Sequence, residues 1–247
     1  LLFQWLIKTR LFITINPMRK KILMAERSDL YHDARVQKEA ESLQNNGFDL
    51  RVIGLRGSKL NHDNEFPYRM DTNYVVPRDY RLLRKIHLFL LILYINMRII
   101  FIESEYYHSH NTYFLPGMYL AKLLYGGILV YDSHEVQWES NKIAKIEERI
   151  FIHKVDKIIN VSEGRAIAQS KRYNIPLEDI CVISNYPVFI KEIANREISS
   201  LNDKIRFVFS GGITLDSNKM DNFMEAIVDF PEVSLDFYAF GYSSNAL

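Results

Sequence analysis

Two short runs of the sequence bring together side chains that are suited to acid–base chemistry. They are the His-Ser-His-Asn run at 108–111 and the Asp-Ser-His-Glu run at 132–135. In the second run, His134 is of greatest interest, because imidazole titrates near neutral pH and can both accept and donate a proton. A catalytic role for His134 is one interpretation, and a structural histidine that caps a helix is the other.

The spacing of His108 and His110 puts two imidazoles on one face of a strand, because side chains alternate with a period of two. With His134 and Glu135 they offer ligand types that bind metals. A tetrahedral site needs four coordinated groups, and the cysteines that often complete one are missing. We therefore expect no metal. One histidine of the pair is expected to be packed and hydrogen-bonded, and the other to face a cleft.

The elements around these runs alternate between strand and helix from residue 18 to residue 186. A strand is predicted at 20–26, then a helix with Val36, Ala40 and Leu43 on one face, then a strand at 50–55. Strand, crossover helix and strand form a βαβ unit, so the strands should be parallel. Further strands are predicted at 106–109, 128–131, 157–161 and 180–183, and further helices after Pro116 and at 141–153 and 163–173. This alternation predicts a doubly wound α/β domain.

Polar residues follow five of the predicted strands. In an open parallel sheet, ligands bind outside the carboxyl ends of the strands, so these residues should line a shared site. Their hydroxyl, imidazole, amide and carboxylate groups indicate a ligand with many oxygens, such as a sugar. The residues are Glu26–Asp29, His110–Asn111, Asp132–Glu135, Ser162–Glu163 and Asn185.

The last quarter of the chain starts a second α/β unit. The polar, mixed composition of residues 187–203 is typical of a linker. A strand from Ile205, a tight turn at 210–212, a helix and a strand at 235–240 then form another βαβ unit. Gly211 and Gly212 would precede this helix, and glycines at such a position let a phosphate group approach the N-terminus of the helix. Lys219 would add a positive charge to the phosphate site. A turn without a ligand is the alternative.

Composition excludes several classes of protein. The 247 residues include 31 Lys and Arg against 30 Asp and Glu, a formal charge of +1 that gives no basis for nucleic-acid binding. The chain lacks the GxGxxG and GxxxxGK patterns of ordinary dinucleotide and P-loop sites. Its single cysteine, Cys181, cannot form an internal disulfide, so we expect a cytoplasmic protein.

Two apolar segments of the sequence are candidates for targeting or for interaction with a membrane. Residues 1–17 are expected to be an upstream extension without a functional role, because Lys8 and Arg10 interrupt the apolar stretch of a signal peptide. The run 86–102 is too short and too polar to span a bilayer and predicts a buried helix, which could place one face on the membrane surface. Arginines and Lys85 around the start of the helix at 80–94 favour a helix lying on an anionic membrane surface, with a buried crossover helix as the alternative.

Five segments, in this order and spacing, resemble the acceptor-side half of family 4 glycosyltransferases, which have the GT-B fold of two facing Rossmann-like domains. The resemblance covers roughly residues 18–247. The segments are Asp33–Val36, His108–Asn111, Tyr131–Glu135, Val161–Glu163 and Ile183–Asn185.

The resemblance implies a retaining, metal-independent and cofactor-free transfer of a sugar, of the hexosyltransferase type, from a nucleotide-sugar donor. The acceptor would be a glycan or a lipid-linked saccharide, as in polysaccharide biosynthesis at the inner face of the cell membrane. By this likeness His134 is the catalytic residue. The acceptor-binding residues would be Arg35, His110, Asn111 and Glu135. The donor-binding residues would be Gly211, Gly212 and Lys219.

The resemblance also implies a domain plan. Residues 18–186 would form the acceptor-side domain, 187–203 the linker, and 204–247 the start of the nucleotide-sugar domain. The family's paired donor glutamates belong to a later part of that domain, so we expect an N-terminal fragment that does not turn over alone. Two alternatives stay open. One is a nucleotide-sugar 2-epimerase of the same fold, and the other is a non-catalytic saccharide-binding module.

Overall fold

A computed structural model describes residues 20–31, 33–57, 66–76, 81–133, 142–186, 205–212 and 220–240. These residues divide into two compact units, one within Leu1–Tyr186 and one within Pro187–Leu247. Each unit is described by itself.

The first βαβ unit forms where the sequence predicts it. Strand β1 (Lys21–Asp29) leads to helix α1 (Ala34–Asn45), which begins where the Asp33 carboxylate accepts a hydrogen bond from the backbone N–H of Val36. Val36, Ala40 and Leu43 form its buried face. The chain reverses at Gly47, whose φ is +86°, and strand β2 (Asp49–Gly57) then pairs in parallel with β1.

Five further strands join β1 and β2 in one sheet: β3 (Arg69–Val76), β4 (Tyr106–Ser109), β5 (Ile128–Ser133), β6 (Lys157–Asn160) and β7 (Ile180–Val182). The order of the sheet is β3-β2-β1-β4-β5-β6-β7, and every neighbouring pair is parallel. The parallel, Rossmann-like α/β architecture predicted from the sequence is therefore confirmed for this unit. The remaining helices are α2 (Arg81–Ile100), α3 (Leu115–Tyr125), α4 (Lys142–Phe151) and α5 (Glu163–Tyr173), with 3-10 turns at Thr112–Phe114 and Leu177–Asp179.

Both faces of the sheet are covered by apolar cores. Side chains of a strand alternate between faces, and β1 shows this directly. Leu23 and Ala25 join the core formed with α2 and α3, whereas Ile22 and Met24 join the core formed with α1. Burial on both sides explains why β1 reads as a continuous apolar run.

Strand β3 has no counterpart among the strands predicted from the sequence. Its sequence contains Arg, Asp, Thr and Asn, which are untypical of a buried strand. It nevertheless pairs with β2 at the edge of the sheet, where Arg51 Nε donates to Asp71 Oδ2 at 2.8 Å. Strand β3 is hydrogen-bonded to β2 along one side. This pairing holds the segment in an extended conformation although its residues have a weak preference for strands.

Helix α2 includes most of the apolar run 86–102 and has one face on the core and one face exposed. Among the side chains that the structure describes, Ile95, Asn96 and Ile99 are buried, and Leu88, Leu91 and Ile92 pack against the core. The exposed apolar side chains are Ile86, Phe89, Leu90, Leu93, Tyr94 and Met97. Helix α3 packs beside α2 and adds exposed leucines from its own outer face. Within the described residues, no helix combines the length and apolarity needed to cross a bilayer.

The second unit contains strand β8 (Ile205–Gly212), helix α6 (Met220–Ile227) and strand β9 (Val233–Phe240). The two strands pair in parallel, as a βαβ unit requires. The predicted tight turn at Ser210-Gly211-Gly212 is wrong. Gly211 and Gly212 lie in β8, opposite Ala239 and Phe240, because the apolar run of β9 continues far enough to pair with them.

Candidate functional site

The carboxyl end of β1 is organised by the buried carboxylate of Glu26. Its Oε1 accepts hydrogen bonds from the backbone N–H groups of Arg27 and Ser28, at 2.6 and 2.9 Å. The same oxygen accepts a 3.0 Å hydrogen bond from Asn111 Nδ2, which follows β4. One carboxylate therefore joins the ends of two neighbouring strands at the edge where ligands of parallel sheets bind.

Asn111 has a second role in the same edge. Its Oδ1 accepts a 3.0 Å hydrogen bond from the backbone N–H of Tyr113 and begins the short turn of helix after β4. The Arg27 guanidinium lies 4.3 Å from the centre of the Tyr113 ring, which is cation–π distance. Thr112 Oγ1 donates to Glu147 Oε2 at 3.1 Å. The edge between β1 and β4 thus carries amide, guanidinium, aromatic and carboxylate groups.

A cluster of charged groups lies under the carboxyl edge between α1 and the sheet. The Arg35 guanidinium is paired with both carboxylate oxygens of Asp132, whose side chain is fully buried in β5. Arg35 Nε also donates to Glu39 Oε1, one turn later in α1, at 3.1 Å. These ion pairs hold α1 against the end of β5.

His108 and His110 lie in this cluster with their rings stacked, centroids 4.3 Å apart. His110 Nδ1 is 3.2 Å from Asp132 Oδ2, and His108 Nε2 is 3.8 Å from the same oxygen. Both residues are buried, with relative exposures of 4% and 1%. The expectation that one of them faces a cleft is therefore wrong, because α1 covers the face of β4 on which both lie.

The ionisation of the cluster follows from its charges. Burial opposes the charge of Asp132, but the two imidazoles and the Arg35 guanidinium hold the pKa of its carboxyl well below the usual value. Burial also disfavours charged His110, yet Asp132 and Glu39 outweigh it and raise its pKa to about 9. Burial and neighbouring His110 lower the pKa of His108. The cluster therefore shifts the pKa values of the two histidines in opposite directions.

A second buried network lies behind the end of β5. Glu148 accepts hydrogen bonds from the hydroxyls of Tyr131 and Tyr173, at 3.2 and 2.7 Å. Gln169 Nε2 lies 3.0 Å from Glu148 Oε1 and 3.2 Å from Ser133 Oγ. Burial raises the pKa of Glu148 despite these donors. The network attaches α4 and α5 to β5 at Ser133, the residue before His134.

A cavity of about 220 Å³ opens beside α1. Arg35, Lys38 and Glu39 line one side, and Ser184 and Asn185, which follow β7, line the other. Lys38 Nζ is 3.2 Å from Asn185 Oδ1. Cationic, hydroxyl and amide groups around this opening can bind a hydroxylated or anionic ligand.

The predicted site residues are only partly brought together. Arg35 and His110 meet through Asp132, and Asn111 follows directly after His110. Gly211 and Gly212 lie in β8 of the second unit. The described ranges leave out three predicted residues, His134, Glu135 and Lys219. The assigned roles of all these residues stay predictions.

Sequence reasoning missed several polar residues of the two networks. Glu39 follows Arg35 by four residues on a helix, a spacing that predicts an ion pair and was available as a signal. Glu148 and Gln169 lie at buried helix positions that periodicity alone assigns to apolar residues. The hydrogen bonds that satisfy them come from other elements, so no local pattern marks them.

Solved structures of known proteins share this fold. HepE from Anabaena, solved with UDP and glucose, matches at 14% identity with a TM-score of 0.53, covering 89% of this chain and 61% of HepE. Sucrose-phosphate synthase from Thermosynechococcus elongatus matches at 13% identity with a TM-score of 0.60, covering 93% of this chain and 64% of the synthase. At these identities the similarity shows the fold alone.

A UDP-N-acetylglucosamine 2-epimerase also matches, at 10% identity with a TM-score of 0.50, covering 88% of this chain and 63% of the epimerase. The chain spans less than two thirds of the length of each of these three proteins. No curated protein sequence matches it significantly.

The sequence family assignment comes from a separate comparison. The model of Glycosyltransferase Family 4 matches residues 34–186, which is more than half of the chain. The matched region runs from the start of α1 past the end of β7 and contains the charged cluster and the buried network around Glu148. This chain therefore belongs to glycosyltransferase family 4.

Proposed function

We propose that the protein transfers a hexose from a nucleotide-sugar donor to a glycan or lipid-linked acceptor, with retention of configuration and with no metal in the reaction. The observation that carries the proposal is the family match over 34–186, which includes the polar residues at the carboxyl ends of β4 to β7. A nucleotide-sugar donor is supported by the fold similarity to HepE, whose solved complex contains UDP and glucose.

In this proposal His134 is the catalytic residue, and Gly211, Gly212 and Lys219 bind the donor diphosphate. Arg35 binds the acceptor from the cavity beside α1. Glu135 is proposed as a further acceptor-binding residue. His110 and Asn111 are buried, so they would support the acceptor site from beneath through Asp132 and Glu26. A backbone phosphate site at Gly211 and Gly212 would have to form at the end of a strand.

The function is tested with the product of the complete reading frame. The protein is incubated with a panel of UDP-, GDP- and TDP-sugars and with oligosaccharide or lipid-linked acceptors. Mass spectrometry should detect a hexose added to the acceptor, and NMR should show a retained anomeric configuration. His134→Ala should abolish transfer, whereas His153→Ala, at an exposed position of the same unit, should not. An acceptor-independent epimerised donor would instead establish the 2-epimerase alternative.

We also propose that residues 1–247 alone do not catalyse transfer. The support is twofold: the chain spans 61–64% of the lengths of HepE and the sucrose-phosphate synthase, and the β8–β9 sheet carries exposed apolar side chains. Ile205, Val208 and Tyr238 are each more than half exposed. Parallel strands are stable when both faces are covered, so this sheet would need further polypeptide. Transfer by residues 1–247 at the rate of the complete product would overturn this proposal.

Cytoplasmic location at the inner face of the cell membrane is part of the proposal. It is supported by the exposed apolar surface of two packed helices, which we call the α2–α3 surface. Helices α2 and α3 contain no acidic residue, and four Lys and Arg lie in α2. An apolar, basic surface suits the interface of an anionic bilayer. The surface consists of Ile86, Phe89, Leu90, Leu93, Tyr94, Met97, Phe101, Leu120, Leu123, Leu124 and Tyr125.

Vesicle flotation tests this location. The protein should float with vesicles containing phosphatidylglycerol and remain in solution with pure phosphatidylcholine. The double variant Phe89→Ser, Leu93→Ser should partition about tenfold or more weakly, because two large apolar side chains are removed from the interface. The matched control replaces two exposed isoleucines of α4, Ile143→Ser and Ile146→Ser. Lipid-independent behaviour, or self-association through this surface in sedimentation analysis, would contradict the proposal.

A further inference from the structure

We propose that the histidine–carboxylate cluster beneath the carboxyl edge is a structural zinc site. This goes beyond the proposed transfer reaction and replaces the expectation, drawn from the sequence, that the protein holds no metal. The four ligands would be Glu39, His108, His110 and Asp132.

The geometry of the cluster is close to that of a tetrahedral zinc site. One ligand atom from each residue lies within 4.8 Å of all the others. His110 Nδ1 is 3.2 Å from Asp132 Oδ2, and 3.8 Å separates that nitrogen from Glu39 Oε2. Zinc bonds of about 2.0–2.2 Å place neighbouring ligand atoms about 3.4 Å apart. Small side-chain rotations are therefore enough to close the site.

Two polar atoms of the cluster point to a missing ligand. His108 Nε2 and Glu39 Oε2 are inaccessible to solvent, and neither has a hydrogen-bond partner among the described residues. The His108 side chain is buried, with 4% of the residue exposed, so bulk water does not reach its Nε2 atom to form a hydrogen bond. Buried polar atoms are normally satisfied, and an exception calls for a ligand or an ion. A metal ion would satisfy both atoms at once.

The chemistry of the donors selects the ion. Two imidazole nitrogens with two carboxylate oxygens suit Zn²⁺, whereas Mg²⁺ and Ca²⁺ prefer oxygen ligands only. Two neutral histidines and two carboxylates also balance a divalent charge. The pairing of Arg35 with Asp132 then orients the carboxylate from outside, as hydrogen-bonding partners of metal ligands commonly do.

The connectivity indicates a structural role. Glu39 belongs to α1, Asp132 belongs to β5, and the two histidines lie at the end of β4. A metal held by four protein ligands has no open coordination position for a substrate. The ion would join α1 to the middle of the sheet, directly under the edge that carries the candidate acceptor site.

Zinc binding is measured on the whole 247-residue chain after treatment with EDTA and dialysis. We expect calorimetry with ZnCl₂ and elemental analysis to give one zinc per chain. Cobalt substitution should give the intense visible bands of tetrahedral Co²⁺. Zinc should also raise the melting temperature. His108→Ala and Glu39→Gln should each weaken binding by about tenfold or more. His153→Ala, an exposed histidine outside the cluster, is the matched control.

Circular dichroism separates loss of zinc from loss of folding. Glu39→Gln lies at the partly exposed rim of the cluster, so it serves as the second variant if His108→Ala does not fold. A folded wild-type chain that binds less than one zinc in ten molecules would overturn the proposal. Stoichiometric zinc that both variants retain would also overturn it, because the ion would then be bound elsewhere. Neither result bears on the proposed sugar transfer.

Discussion

Glu148 is the residue whose environment most directly predicts a pH effect outside the zinc cluster. Burial raises the pKa of its carboxyl in the folded state, and the hydrogen bonds from Tyr173, Gln169 and Tyr131 only partly compensate. A raised folded-state pKa adds stability that is fully present below the unfolded value and is lost as pH rises through the folded value. The wild-type protein should therefore lose stability with rising pH relative to a variant that cannot ionise.

Glu148→Gln tests this prediction. At about pH 3, well below the usual pKa of a carboxyl group, the free energies of unfolding should agree within about 1 kcal/mol, since both side chains are then neutral. As the pH rises to 8, the variant should gain stability relative to the wild type. Urea titrations at several pH values measure the difference. Glu178→Gln, at an exposed position, is the matched control. A difference for Glu148→Gln that stays constant with pH would contradict the raised pKa.

At the scale of the element, the turn between α3 and β5 depends on two consecutive glycines that differ in one respect. Gly126 and Gly127 both have positive φ, at +78° and +96°. A Cβ at 126 would meet no atom within 4 Å, whereas a Cβ at 127 would lie 2.8 Å from the Ser104 carbonyl oxygen. Both positions therefore carry conformational strain when substituted, and position 127 adds a steric clash with backbone.

Gly127→Ala should destabilise the protein by about 1 kcal/mol or more beyond the loss caused by Gly126→Ala. The reason is that β4 and β5 are neighbours in the sheet, so the backbone around Ser104 cannot move away without disturbing their pairing. Urea unfolding of the two variants measures the effect, and each serves as the control of the other. Equal losses would show that the backbone conformation alone matters.

At the scale of the whole molecule, the order of the sheet predicts a gradient of local stability. Strands β1, β4 and β5 lie in the interior of the seven-stranded sheet, paired on both sides and packed between two cores. Strand β3 is at an edge, and the β8–β9 sheet has exposed apolar faces. Backbone amide hydrogens of buried, paired strands exchange with solvent only when a large part of the fold opens. Amide hydrogens of edge strands exchange through local opening.

Hydrogen exchange followed by mass spectrometry tests this gradient. Peptides covering β1, β4 and β5 should exchange about a hundredfold or more slowly than those covering β3 or β8–β9. The peptides from β6, which is also interior, provide an internal control and should resemble β5. Comparable protection in β3 and β1 would mean that the edge strand unfolds together with the interior of the sheet.

Local patterns in the sequence predicted most of the first unit. The buried face of α1 and the alternation of strands and helices are specified by residues close together in the chain. Their signals can therefore be read without knowledge of the rest of the protein. The order of the polar motifs also predicted the family, which the match over 34–186 confirms.

Contacts between residues that are distant in the sequence decided the features that local patterns did not predict. Gly211 and Gly212 became part of a strand because β9 pairs with them, and β3 formed because β2 offered an edge. The burial of both histidines and the meeting of Glu39 with His110 depend on α1 covering the sheet. Such features arise from packing and pairing across long separations, where no local propensity or spacing specifies the outcome. The sequence by itself thus determined the elements and the family, and the tertiary structure decided which charged groups face each other.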